Sequence, residues 1–186
     1  MKDKRTAIME SAVRLFGTQG LSVPTAKIAA EAGVANGTLF NHFPTKQDLQ
    51  DQLYLELKTE LASRISWEAA EDDLHGMLLT LWTRYAHWAV AYPDKHQVLH
   101  LLKAAQAVSP EVLAVLEAKA QPLHSAILQG MKDGRLCELD AETFQALTQS
   151  FLDAAVSLAQ RRELVDEALD GHIEGLFGLF WKAVRA

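Results

Sequence analysis

The sequence predicts an all-α protein, a small N-terminal head of three helices followed by a larger C-terminal helical bundle. Apolar residues recur at i, i+3, i+4 and i+7 almost throughout, and no sustained period-two alternation bounded by turn residues occurs. Gly, Pro and capping residues punctuate that period where helices should start and stop. With 49% hydrophobic and 23% charged residues in 186, the chain can offset the ordering entropy that keeps polar chains unfolded, which excludes a disordered or fibrous protein.

From Lys4 to Phe16, the residues Ile8, Ala12, Leu15 and Phe16 make one apolar face, and Gly17 to Gly20 should end that helix. A short helix is expected over Thr25 to Ala32, stopped by Gly33, and a shorter one over Asn36 to His42. Thr45 is a fitting N-cap for the next helix, with Asp48 at its third position as a capping-box variant, and the period continues to about Ser63. The longer helices follow. One is expected over Glu68 to Ala91, with Pro93 beyond it, and another over Asp94 to Ala107. Ser109 and Pro110 start a third that should reach Asp133, kinked at Pro122 and capped by Gly134. The last two are predicted over Ala141 to Arg161 and Val165 to Arg185.

Net charge is −6, which by itself opposes binding to a polyanion, but the charge is unevenly spread. Residues 1–47 carry six basic and three acidic groups, net +3, against 12 basic and 21 acidic groups in residues 48–186, net −9. A basic head on an acidic body would dock on phosphates through the head. A single cysteine, Cys137, excludes a disulfide framework and a Cys-rich zinc site and suits a reducing compartment. No apolar run approaches the roughly 18 residues of a membrane span, and Met1 to Arg5 lead into a mixed polar helix and not an apolar signal core. A cytoplasmic protein without membrane partners is expected.

Residues 25–43 hold the strongest signal: short helix, tight glycine turn, short helix. Ile28, Ala29, Val34, Leu39 and Phe43 would face inward against Ala12, Leu15 and Phe16. Ala29 allows close helix approach, and Gly33 is free to take positive φ. This is a helix-turn-helix pattern. Its second helix would expose Asn36, Gly37, Thr38, Asn41 and His42, short hydrogen-bonding groups that suit the major groove.

The run Ile-Ala-x-x-Ala-Gly-Val-x-x-Gly-Thr-Leu-Phe-x-His-Phe-x-x-Lys, Ile28 to Lys46, resembles the signature of the tetracycline-repressor (TetR) family of bacterial transcriptional regulators. The resemblance covers about residues 5–50, and the rest of the chain matches only in its pattern of further helices. It implies a DNA-binding domain over 1–47 and a ligand-binding and dimerisation domain over 48–186. It implies phosphate contacts for Thr25, Thr38, Phe40, His42 and Lys46, and places Asn36, Gly37 and Asn41 nearest bases. Lys46 in the first turn of its helix opposes the helix dipole, so an outside anion makes better sense of it. Leu21 to Pro24 is one residue shorter than in many members, and Ala26 stands where some carry a base-reading arginine, which shifts specificity onto the third helix. Phe40 also reads as a core aromatic, and Thr25 as a plain helix cap.

In the body the resemblance implies that the last two helices pair with those of a second subunit. Leu169, Ile173, Leu176, Phe177, Phe180 and Trp181 form an apolar stripe there, with Gly171, Gly175 and Gly178 leaving room for close approach, although a core helix would carry the same stripe. Trp82, Tyr85 and Trp88, facing His124, Phe144 and Phe151, would suit a flat apolar ligand, and plain core packing reads the same residues equally well. His96 and His100 have metal-ligand spacing but no third ligand in view, so neither a metal nor a cofactor is expected. The resulting expectation is a homodimeric repressor of a palindromic duplex-DNA operator, released by an unidentified small-molecule inducer. Two other classes compete. An α-helical enzyme would need a nucleophile elbow, phosphate loop or metal triad, none of which the sequence offers. A helical adaptor without DNA function would differ in not binding duplex DNA.

Overall fold

The computed structural model describes residues 3–64 and 73–186. Lys2, one of the head's cations, and Glu68 to Asp72, the expected start of the fifth helix, lie outside the described residues. The helices are α1 (Lys4–Gln19), α2 (Thr25–Glu31), α3 (Asn36–His42), α4 (Lys46–Arg64), α5 (Leu74–Ala91), α6 (Pro93–Ala104), α7 (Pro110–Lys132), α8 (Ala141–Arg161) and α9 (Asp166–Val184). Among the described residues the only extended pairing is one isolated antiparallel bridge, Leu136 with Arg185. None of these helices is long and apolar enough to cross a membrane.

The chain divides into two compact units, Met1–Glu60 with Tyr92–Ala118, and Leu61–Ala91 with Lys119–Ala186. In the first, α1 packs on α2, α3 and α6, and α2 packs on α3. Ile8, Ala12, Phe16, Ile28, Leu39 and Phe43 are completely removed from water. The helix α1 runs one turn further than expected, with Gly17 inside it and Gly20 as its cap at φ +78°. A Cβ on Gly17 would stand 3.8 Å from Val98 and 4.0 Å from the Asp94 carbonyl, so the glycine serves close packing of α6 on α1. Thr45 and Asp48 cap α4 reciprocally, the Asp48 amide donating to Thr45 Oγ1 at 3.0 Å and the Thr45 amide to Asp48 Oδ2 at 2.9 Å. That capping box places Lys46 at the first helical position.

In the second unit α5, α8 and α9 pack on one another. Asp140 caps α8, accepting from the Thr143 hydroxyl at 2.6 Å and from the Thr143 amide at 2.8 Å. These hydrogen bonds hold its carboxyl below the usual range. Helix α7 continues through Pro122 and ends in a Schellman motif: Gly134 at φ +69°, its amide donating to the Met131 carbonyl, and the Arg135 amide to that of Gly130.

Four of the six residues of the terminal stripe face inward, while Leu176 and Trp181 are half-buried. Leu169, Ile173, Phe177 and Phe180 are each 1% exposed or less, and Phe177 meets Trp82 edge-on with centroids 5.3 Å apart. The apolar stripe of α9 is therefore the inner face of a core helix and not a surface for a second subunit. Phe177→Asp should accordingly unfold this unit, since an unpaired buried carboxylate costs several kcal/mol. Loss of the cooperative thermal transition would be seen by circular dichroism; a folded monomer would contradict the assignment.

Candidate nucleic-acid interface

Helix α2 ends in a second Schellman motif, Gly33 at φ +68°, with the Gly33 amide donating to the Ala30 carbonyl at 3.1 Å and the Val34 amide to that of Ala29 at 2.9 Å. The turn sends the chain directly into α3. Because Leu39 and Phe43 are drawn fully into the core, the opposite side of α3 is turned to solvent. Asn36, Gly37, Phe40 and Asn41 are exposed, and Thr38 and His42 partly so. Phe40, at 40% exposure, is a surface residue and not a core aromatic. Thr25 is the first helical residue of α2, where Pro24 holds the cap position and no side chain caps, so its hydroxyl is not spent on the helix end.

Among the described residues the side chains of Thr25, Asn36, Thr38, Asn41 and Lys46 have no hydrogen-bond or ion-pair partner. Three other cations of the head are engaged. Arg5 pairs with Glu56, donates to Gln52 Oε1 at 2.8 Å and lies 5.6 Å from the Phe43 ring centroid. Arg14 pairs with Glu31 at 2.9 Å, and Lys27 donates to Gln19 at 2.6 Å. Glu56 lies outside residues 1–47, so its pairing with Arg5 makes the formal charge of +3 an overstatement of what the head offers a polyanion, and Lys46 matters correspondingly more.

The residues proposed for a small molecule lie in the second unit and separate into two groups. Trp82, Phe144 and Phe151 converge on Phe180, with centroids 4.8, 6.0 and 5.9 Å from it. Tyr85 and Trp88 form a second pair, 6.4 Å apart, and His124 is partly buried on α7. Sequence reasoning assigned Phe177 and Phe180 to a dimer stripe and so missed them as members of this aromatic cluster. Their spacing from Leu169 and Ile173 was the available signal, but periodicity does not say what covers a face. Trp82 is 2% exposed and its indole N–H has no acceptor among the described residues. In the first unit His96 and His100 bring their Nε2 atoms within 3.0 Å of each other.

A helix-turn-helix presenting one open polar face, with a separate helical unit behind it in the chain, defines the class of helix-turn-helix transcriptional regulators. The family model for bacterial regulatory proteins of the tetR family matches residues 8–53. A structure from Shewanella sp. PV-4, described as a tetR family transcription regulator, is 34% identical over 100% of both chains, with a TM-score of 0.86. The chain belongs to the TetR family of transcriptional regulators. A TetR family regulator from Marinobacter aquaeolei VT8 shares the fold at 22% identity, over 98% of this chain and 95% of that one, with a TM-score of 0.85. NalD, the secondary repressor of the MexAB-OprM multidrug efflux pump in Pseudomonas aeruginosa, shares it at 21% identity, over 98% and 95%, with a TM-score of 0.66.

The face depends on the turn before it. Gly33 has nothing within 4 Å of where a Cβ would stand, so Gly33→Ala tests backbone conformation alone. Holding an L residue in the left-handed region costs about 1–2 kcal/mol. The melting temperature should fall by about 2–8 °C at roughly 2–4 °C per kcal/mol, measured by calorimetry, with faster hydrogen exchange in α3.

Proposed function

We propose that the chain is a homodimeric repressor, with residues 1–47 as its DNA-binding domain and residues 48–186 as a domain that dimerises and takes a small apolar ligand, which releases a palindromic operator. Gly37 carries this reading furthest. It lies inside α3, is exposed, and has nothing within 4 Å of where its Cβ would stand. Glycine in a helix costs about 0.5–1 kcal/mol relative to alanine, and nothing within the fold recovers that cost. A duplex backbone pressed against α3 would. Asn36 and Asn41 then reach base edges, while Thr25, Thr38, Phe40, His42 and Lys46 meet the sugar-phosphate backbone. Such a protein acts in the cytoplasm, by binding and without a catalytic step. NalD, similar in fold, is described as a repressor, which is the sense of regulation proposed here.

Two heads must reach successive major grooves, about 34–36 Å apart, so a ligand that favours another spacing releases DNA. The aromatic cluster of Trp82, Phe144 and Phe151, with the Tyr85–Trp88 pair and His124, supplies apolar walls for such a ligand. The Trp82 N–H, buried without an acceptor among the described residues, would be satisfied by an oxygen that the ligand brings. With the apolar stripe of α9 turned inward, dimerisation falls to the opposite face. Gly171, Gly175 and Gly178 have open space where a Cβ would stand, and Leu179 beside them is 54% exposed. On α8, Ala146, Ser150, Ala154 and Ser157 make a matching exposed row of small residues. Two such helix pairs can approach closely.

Lys46→Ala should weaken binding to every duplex alike and make the slope of log K against log salt shallower by about one, whereas Asn36→Ala should lose about 1–3 kcal/mol at particular bases only. Salt titrations on duplexes selected from a random pool separate the two; a Lys46→Ala protein that follows the parent at every salt concentration would refute the phosphate assignment. Gly175→Arg tests the dimer. Helix propensity should rise by about 0.5–1 kcal/mol within the subunit, while the side chain blocks close approach. Sedimentation should find a helical monomer that no longer holds operator DNA, and a persistent dimer would place the interface elsewhere.

A further inference from the structure

In the first unit, α6 carries a histidine pair that neither the open face of the head nor the aromatic cluster uses. His96 and His100 stand one turn apart on this helix, and both are half-buried. Their Nε2 atoms lie 3.0 Å apart, with ring centroids at 4.4 Å and planes inclined by 57°. The backbone that carries them is held in place. Val98 and Leu102, on the other side of α6, are completely buried, and the packing of α6 on α1 brings Val98 within 3.8 Å of where a Gly17 Cβ would stand. Lys95, next to His96 in the chain, is already paired with Glu60 at 2.6 Å, so its charge is balanced where a second cation would come.

Two neutral imidazoles at this distance share one proton, one Nε2 donating and the other accepting. If the donor ring carries its proton on Nδ1 instead, both Nε2 lone pairs are available to one cation, and imidazole nitrogen suits zinc, copper and nickel ions. The spacing fits such an ion. A cation about 2.0–2.1 Å from each nitrogen would see the pair at about 90–100°, the angle between adjacent ligands of an octahedral or square-planar shell, and an opening of about 0.3 Å would reach the tetrahedral angle. We propose that His96 and His100 form a binding site for a divalent cation of the zinc, nickel and copper class, with water or another oxygen donor completing its shell. Ligation from positions i and i+4 requires the helical turn to be formed, so the cation binds the folded chain in preference to the unfolded one. The site stands apart from the repressor reading and does not depend on it.

The test uses the full chain without DNA, stripped with a chelator and then titrated with Zn²⁺, Ni²⁺ and Mg²⁺ by calorimetry and thermal unfolding. Zn²⁺ and Ni²⁺ should each raise the melting temperature by about 3–6 °C at ten times their Kd, whereas Mg²⁺, which takes oxygen ligands, should leave it unchanged. In nitrogen NMR of the chain with labelled histidine, Zn²⁺ should shift the Nε2 resonances of His96 and His100 together. His96→Gln and His100→Gln keep a hydrogen-bonding side chain but offer an amide oxygen suited to harder cations, so each should lose at least tenfold in Zn²⁺ affinity. His87→Gln, on α5, should keep it. If a glutamine variant fails to fold, the resonances of the parent decide which nitrogens bind. A chain that binds neither Zn²⁺ nor Ni²⁺, Zn²⁺ binding that leaves both Nε2 resonances in place, or an affinity undiminished in both folded variants would overturn the site.

Discussion

The open face of this regulator exists because Leu39 and Phe43 are held wholly out of water on the other side of α3. Burying two such side chains contributes about 1.5–3 kcal/mol each, enough to fix the rotation of a seven-residue helix that has no side-chain cap of its own. With those residues inward, Asn36, Gly37, Phe40 and Asn41 have nowhere to point but solvent. The surface is thus a by-product of the core. A helix this short would not persist alone, so the packing of α1, α2 and α3 is the condition for any recognition by it.

Around that core the charged groups divide by whether the fold employs them. Arg5 ties α1 to α4 through Glu56 and Gln52 and covers the Phe43 ring, so its charge belongs to the scaffold. Arg14 and Lys27 are likewise engaged, with Glu31 and Gln19. Lys46 is held at the start of α4 by the Thr45–Asp48 capping box and has no partner among the described residues. Its backbone is fixed while its side chain is not, an arrangement suited to meeting a charge from outside.

The second unit contrasts an aromatic interior with a small-residue exterior on the same helices. On α9 the inner face is Leu169, Ile173, Phe177 and Phe180, and the outer one is Gly171, Gly175 and Leu179. Aromatic rings packed edge-on resist compression, whereas a glycine face presents bare backbone.

The sequence by itself determined the local structure. The start of α4 with its capping box, the limits of α3 and α8, and the positive φ at Gly33 and Gly134 follow from residues a few positions apart, whose interactions are complete within one turn. The inward set of the helix-turn-helix was legible too, because one short amphipathic helix has only one face to bury. Tertiary structure alone decided what covers each face. Periodicity marked the stripe of α9 as apolar but could not distinguish a core from a subunit interface, since both remove the same side chains from water. Gly17 reads as a helix stop until α6 is seen to pack against it. Phe40 reads as core until Leu39 and Phe43 are seen to fill it. Whether Arg5 is free or engaged depends on Gln52 and Glu56 of α4, which meet it from 47 and 51 residues further on. Charge balance at a point in space is a sum over segments distant in the chain, and no local pattern records it.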